Sequence, residues 1–152
     1  MTPKQINAFI HRLKLEHYKR TKSSVPEFAI PVDKYDCTKT NGLTLAMSYT
    51  SKYLGGFLKR VNSTGIYVEG QEYKTLFGKI KGKGHWRTSP STGIADTQLT
   101  LNGERWDVEV KKPGERQLPS QKRYQKQLEA AGGNYIIIRS FDEFIKLVES
   151  IL

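Results

Sequence analysis

Apolar residues recur every three to four positions in the first part of the chain and every second position in its central part. The pattern predicts helices packed around a sheet. Ile6, Phe9, Ile10 and Leu13 share one face of a helix over 3–19, with Lys4, Arg12, Lys14 and Lys19 on its polar surround. Residues 20–40 hold Ser23-Ser24, Pro26 and Pro31, read as mostly irregular, and separate an N-terminal helix and linker (1–40) from a core domain (41–152). A second helix over 43–54 turns Leu43, Ala46, Met47 and Leu54 inward and is expected to stop at Gly55-Gly56. Strands are expected over 57–62 and 66–68, with a turn at Ser63-Thr64-Gly65.

Residues 69–92 interrupt this order. Gly70, Gly78, Gly82, Gly84 and Pro90 alternate with Lys74, Lys79, Lys81, Lys83 and Arg87, and the segment reads as a mobile basic loop, either a solvated linker or a flap that closes on phosphates. Alternation then returns. Strands over 94–101 and 104–111 flank Asn102-Gly103, a strong two-residue hairpin signal. A helix over 120–131 ends at Gly132-Gly133, and 135–138 is a short apolar strand. Ser140 and Glu143 read as a capping box for a last helix bearing Phe141, Phe144, Ile145 and Val148. Strand, crossover helix and strand in succession predict a parallel pair in a mixed sheet.

The hairpin places chemistry. A turn at 102–103 sets Leu101 opposite Glu104, Leu99 opposite Trp106, Thr97 opposite Val108 and Asp96 opposite Glu109. One face then carries Leu99, Leu101, Trp106, Val108 and Val110, and the other Asp96, Gln98, Thr100, Arg105, Asp107, Glu109 and Lys111. Opposed residues have Cβ atoms about 5 Å apart, where like charges repel. A neighbouring cation, Lys111 or Arg105, can offset that repulsion, as can a divalent metal held by both carboxylates. The same pattern also fits the solvated face of an amphipathic hairpin.

Charge narrows the partners. The 152 residues suit one domain, and Lys plus Arg total 25 against 15 acidic residues, a net charge of +10 and a pI near 9.7. That surplus favours a polyanion. Cys37 is a single cysteine, which argues against a disulfide framework or a Cys-rich zinc site. His11, His17 and His85 have no ligand-like spacing. The absence of a long apolar run or a leader-like N-terminus predicts a soluble intracellular protein without membrane association.

Gly93-Ile94-Ala95-Asp96, then Glu109-Val110-Lys111, then Ser120-Gln121, in this order, resemble the VRR-NUC branch of the PD-(D/E)XK nucleases. Leu43-Thr44, Arg60-Val61-Asn62 and Gly65-Ile66-Tyr67 upstream resemble the phage and mobile-element members. Ala131-Gly132-Gly133-Asn134-Tyr135 and Phe141-Asp142-Glu143-Phe144 continue the likeness downstream, to about residue 146. Two features depart from the family. Ala95 stands where a proline is usual, and residues 43–54 lack the acid that many relatives carry on the helix before the sheet, leaving Glu16, Asp33 and Asp36 as alternatives.

The resemblance implies an α/β fold with a restriction-endonuclease-like core, a mixed sheet flanked by helices, and an N-terminal helical extension. It implies Asp96 and Glu109 as metal ligands, Lys111 as the catalytic lysine and Gln121 as a motif glutamine at the site, with Mg²⁺ as cofactor and Mn²⁺ as substitute. The expected activity is hydrolysis of DNA phosphodiesters as an endonuclease, on branched or junction DNA by analogy, in bacterial or phage-infected cytoplasm. Symmetric junction cutting would call for a homodimer. The alternatives are a non-catalytic nucleic-acid-binding module and a subunit of a phage or recombination complex. Lys59, Arg60, Lys79, Lys81, Lys83, Arg87 and Tyr124 are the expected nucleic-acid contacts.

Overall fold

The computed structural model describes residues 1–22, 24–61, 66–87 and 93–152. The turn expected at 63–65 and the last part of the expected loop, 88–92, lie outside the described residues. Helix α1 (Pro3–Thr21) starts at a reciprocal cap. The Gln5 N–H donates to the Thr2 hydroxyl at 3.3 Å, and the Thr2 N–H donates to Gln5 Oε1 at 2.7 Å. Its apolar face packs Ile6 and Ile10 against helix α2 (Thr40–Tyr53) in the same core as the sheet.

Lys14 corrects the expected helix face. It is only 6% exposed, because the following segment folds back over α1 and supplies partners for the ammonium. Its Nζ donates to Asp33 Oδ2 at 2.6 Å and to the Pro31 carbonyl at 2.8 Å. A buried cation requires such pairing. That segment holds a single 3₁₀ turn, Glu27–Ala29, and is otherwise irregular among its described residues. In α2 the buried Thr44, Thr50 and Ser51 hydroxyls donate to carbonyls one turn back at 2.9, 2.8 and 2.8 Å, which lets three polar residues sit in an apolar interface.

The strands are β1 (Phe57–Arg60), β2 (Ile66–Val68), β3 (Glu72–Thr75), β4 (Gly78–Lys81), β5 (His85–Arg87), β6 (Thr97–Leu101), β7 (Glu104–Val110) and β8 (Asn134–Ile138). Helix α3 (Pro119–Ala130) joins β7 to β8, and α4 (Phe141–Ile151) closes the chain. The main sheet has the order β1-β6-β7-β8, with β8 parallel to β7 and the other pairs antiparallel. Asn102 (φ 49°) and Gly103 (φ 82°) turn the hairpin, and the register pairs Leu101 with Glu104, Leu99 with Trp106 and Thr97 with Val108 as expected. Strand β6 begins at Thr97 rather than at 94, and one further bond, from Val61 N–H to the Asp96 carbonyl at 2.8 Å, carries the β1–β6 pairing back to Asp96.

Leu58, Leu99, Leu101, Val108, Val110 and Ile138 form the core face, under α2 and α4. On α4, the Glu143 N–H donates to the Ser140 hydroxyl at 3.3 Å. The Glu143 carboxylate takes the Arg139 N–H at 2.7 Å, so the expected box closes one residue earlier than its usual form.

The opposite face is covered in part, with Lys59, Thr100 and Arg105 left exposed. Asp107 and Glu109 are buried there because α3 lies over it through polar side chains. Residues 69–87 are also not a loop. They supply β3, β4 and β5, paired as two small antiparallel ladders with β2. No helix among the described residues is long and apolar enough to cross a membrane.

Gly93 fixes how α3 meets the strand that follows it. Its φ is 87°, and a Cβ there would lie 2.5 Å from the Ser120 carbonyl carbon and oxygen and 2.9 Å from Gln121 N. Backbone cannot yield as a side-chain tip can. Gly93→Ala is therefore expected to lower unfolding free energy by about 1–3 kcal/mol in urea titration, whereas Gly103→Ala at the open turn tip should cost less.

Candidate active site

Glu109 is central to the polar face. It has no exposed surface, yet its side chain carries two strong acceptors. Its position in β7 follows from strand alternation: Val108 and Val110 point into the core, so Asp107 and Glu109 point toward α3. Oε1 accepts from Lys111 Nζ at 2.7 Å and from the Gln121 amide, while Oε2 has no hydrogen-bond partner. Burial pushes the carboxyl above the usual range, the Lys111 hydrogen bond pulls it down, and the charge of Asp96 pushes it up again. The Asp96 backbone favours the charged form without completing a hydrogen bond to Oε2.

Asp96 lies one residue before β6, across from Glu109 in the continued register. Its Oδ2 accepts from Val110 N–H at 3.3 Å, which folds the carboxylate over the end of the ladder. Lys111 follows β7 directly. Its backbone N–H donates to the Ile138 carbonyl at 3.0 Å, extending the parallel pairing by one bond and aiming the ammonium at Glu109. The structure thus brings Asp96, Glu109, Lys111 and Gln121 into one cluster.

Gln121 is held at both ends of its amide. Oε1 accepts from Leu118 N–H at 2.9 Å at the start of α3, and Nε2 donates to Glu109. One turn later the Tyr124 hydroxyl donates to Asp107 Oδ2. Burial, then that hydrogen bond, pushes the Tyr124 phenol up to about 12. The expected nucleic-acid contact Tyr124 is therefore half-buried and turned toward the sheet.

Two residues of this network were missed in the sequence. Asp107 shares the face of Glu109 and repeats its parity. Tyr135, paired with Asp107 across the parallel ladder, is buried and pushed up to about 12, first by burial and also by Glu109, Asp96 and Asp107. The Gln117 amide donates to its hydroxyl at 3.3 Å. The parity of β7 carried the signal for Asp107. Nothing in the sequence fixed the parallel register that brings in Tyr135.

The expected basic contacts divide by location. Lys59 is exposed on β1 and pairs with Gln98, so it lies on the α3 side of the sheet. Arg60 is exposed and donates to Asn41 Oδ1 at 3.0 Å. Lys79, Lys81 and Lys83 are exposed on or beside β4, and Arg87 pairs with Ile66 through the backbone of β5. The outer surface of α3 adds Lys122, Arg123 and Lys126, all exposed, beside the cluster. Their spacing in a helix with few apolar residues was readable, but the side they present was not.

Asp96 and Glu109 fit a divalent ion. A buried carboxylate oxygen without a donor, next to a second carboxylate, is short of positive charge, and a hard cation supplies it. No group of three His, Cys, Asp or Glu residues suited to a metal occurs among the described residues. Of the alternative acids, Asp33 is bonded to Lys14, Asp36 is bonded to Thr38 and Lys39, and Glu16 is exposed. Among the described residues, Asp96 and Glu109 are thus the two carboxylates that could hold such an ion, leaving the rest of its shell to waters and phosphate oxygens.

No protein-family model and no curated protein matches the sequence. Among solved structures, the chain is similar to one described as "VRR_NUC domain", with a TM-score of 0.50 and 21% identity over 75% of this chain and 99% of that one. The mixed sheet, its parallel β7–β8 pair and the flanking helices give this chain a mixed α/β fold like that of the VRR_NUC domain structure.

Proposed function

We propose that the chain is a metal-dependent nuclease that hydrolyses DNA phosphodiesters at Asp96, Glu109, Lys111 and Gln121. One observation carries the reading: Glu109 is fully buried with Oε2 unpartnered beside Asp96, while Lys111 and Gln121 hold Oε1. A core built for stability alone would give both oxygens donors. The basic balance of the chain and the likeness of fold to a VRR_NUC domain support the same reading.

Asp96 and Glu109 would hold the ion, Mg²⁺ or Mn²⁺ in its place. Bound there, it would supply Lewis acidity that lowers the pKa of a water and neutralises phosphate charge. The residues of the chain do the rest. Gln121 locks the Glu109 rotamer, so the free oxygen keeps its direction. Lys111 neutralises Glu109 before substrate arrives and stabilises the charge that grows on the phosphate oxygens during attack. Lys59 and the outer lysines of α3 would seat the strand by its phosphates. Branched or junction DNA is the expected preferred form, to be ranked against linear duplex, single-stranded and flap DNA in one cleavage panel.

Asp96→Ala and Glu109→Gln are expected to abolish Mg²⁺-dependent cleavage while leaving DNA affinity within a few-fold of wild type. Paired cleavage and binding titrations, with EDTA controls, decide this, and wild-type turnover in either variant would sink the metal assignment.

Lys111→Ala separates catalysis from scaffolding. Without metal the variant should lose stability, because Glu109 loses its paired charge, and Mg²⁺ should restore the melting temperature. The single-turnover rate should stay about 100-fold down at saturating Mg²⁺. Recovery of the rate along with the stability would leave Lys111 as scaffolding.

Gln121→Leu should raise the Mg²⁺ concentration needed for half-maximal rate, with a smaller change in the rate at saturation. An unchanged metal requirement would contradict the locking role.

A further inference from the structure

Strands β2 to β5 form one element. The pairing sets 66 opposite 87, 68 opposite 85, 72 opposite 81 and 75 opposite 78, so one register runs through both ladders with no residue inserted between them. The gap between the ladders is bridged by the Gly82 N–H donating to the Gln71 carbonyl at 2.9 Å. A Cβ at Gly70 would lie 1.7 Å from the Gly82 carbonyl oxygen, so the two chains cross there at a distance that only glycine permits. The result is a single two-stranded ribbon whose arms, 66–75 and 78–87, each span about 30 Å at the usual strand rise.

The ribbon has two unlike faces. Tyr73 pairs with Ile80 and Tyr67 with Trp86, and all four are exposed on one side, the latter two in edge contact with ring centroids 5.6 Å apart. Lys74 and Lys79 pair on the other, with Lys81 opposite Glu72, and Lys83 continues the alternation of the returning arm. At the tip, Leu76 and Phe77 form the two-residue loop, and each is 101% exposed. The turn beneath them is held by the Thr75 hydroxyl, which donates to the Gly78 carbonyl at 2.8 Å and accepts from Phe77 N–H at 3.3 Å. The tip presents both side chains to solvent.

We propose that the ribbon is a nucleic-acid wedge: its lysine row follows the phosphates of a duplex while Leu76 and Phe77 enter the base stack and bend the helix at that step. The inference rests on the reading that the chain binds DNA and adds an element outside the Asp96–Glu109 cluster. Charge selects the partner, since five basic residues (Lys74, Lys79, Lys81, Lys83, Arg87) stand against two acidic ones (Glu69, Glu72) along the ribbon. Glu72 and Glu69 contact Lys79 and Lys81 at 3.8 and 3.5 Å, loose exposed pairs that phosphates can replace. An apolar tip on a basic stem is the combination that pries base steps apart. Such wedges unstack a step, and the bent duplex meets more protein surface in return.

The test uses the full chain in EDTA with duplexes carrying 2-aminopurine at successive positions, read by fluorescence at saturating protein. Wild type should brighten the probe at one or two adjacent positions. Leu76→Ser/Phe77→Ser should bind about tenfold more weakly with an unchanged salt slope and no brightening. Lys79→Ala/Lys81→Ala/Lys83→Ala should flatten the salt slope yet brighten the probe once saturated. Both variants should share the wild-type melting temperature, since the ribbon contributes nothing to the core cluster. Saturation without brightening at any position, or brightening by the tip variant, overturns the wedge. So does sedimentation showing that the tip instead holds two copies together, or vesicle binding that the tip variant loses. Cleavage in Mg²⁺ is scored separately: cutting without unstacking removes the wedge and keeps the nuclease, and unstacking without cutting does the reverse.

Discussion

Burying one carboxylate under α3 sets the terms for the rest of the structure. Removing an ion such as Glu109 from water costs several kcal/mol even after relaxation, and the chain offsets this on one oxygen only, through Lys111 and Gln121. Every nearby element serves that arrangement. The Asn102-Gly103 turn fixes which residues of β7 face α3, Gly93 brings the first turn of α3 against the strand start, and the Leu118 N–H fixes the Gln121 amide. Helix α3 is unusual in this respect. Its one buried residue is Gln121, and it meets the sheet through hydrogen bonds from Gln121 and Tyr124 and the neighbouring Gln117 to Tyr135 bond, with Leu128 only half-buried.

A helix docked by polar contacts is specific but not strongly held. Its partners are right only at one rotation and one height, whereas an apolar stripe tolerates sliding. That suits a catalytic surface, where a displacement of about 1 Å is costly. The apolar work is done on the other face, where α1, α2 and α4 pack Ile10, Met47, Leu99, Val108 and Phe144 into a continuous core. The apolar core and the polar network are thus divided between the two sides of one sheet, and β7 belongs to both through alternate residues.

The hairpin was legible in the sequence because its turn and its alternation agree, so three observed pairings and both faces followed from residues 94–111 alone. The same reasoning left open what covers the polar face. Alternation says which side a residue faces, but it is silent on whether a helix lies there, and α3 has too few apolar residues to announce that it docks. Lys14 failed for a related reason: its partners, Asp33 and Pro31, come from a segment without periodicity. The ribbon was hidden by its glycines. Read by parity, Lys79, Lys81, Lys83, His85 and Arg87 alternate with Gly78, Ile80, Gly82, Gly84 and Trp86, a strand pattern in which Gly84 leaves room for the Tyr67 ring and Gly70, on the facing arm, for the Gly82 carbonyl. Glycine was taken as a breaker where it marks close approach.

The central claim is that the free oxygen of Glu109 and the carboxylate of Asp96 share a divalent ion. Anomalous diffraction from a crystal grown with Mn²⁺ tests it most directly. The account predicts one strong peak within bonding distance of Glu109 Oε2 and an Asp96 oxygen, with Lys111 and Gln121 still on Oε1. A fully occupied water or a lysine ammonium on Oε2, with manganese bound elsewhere or not at all, would contradict it.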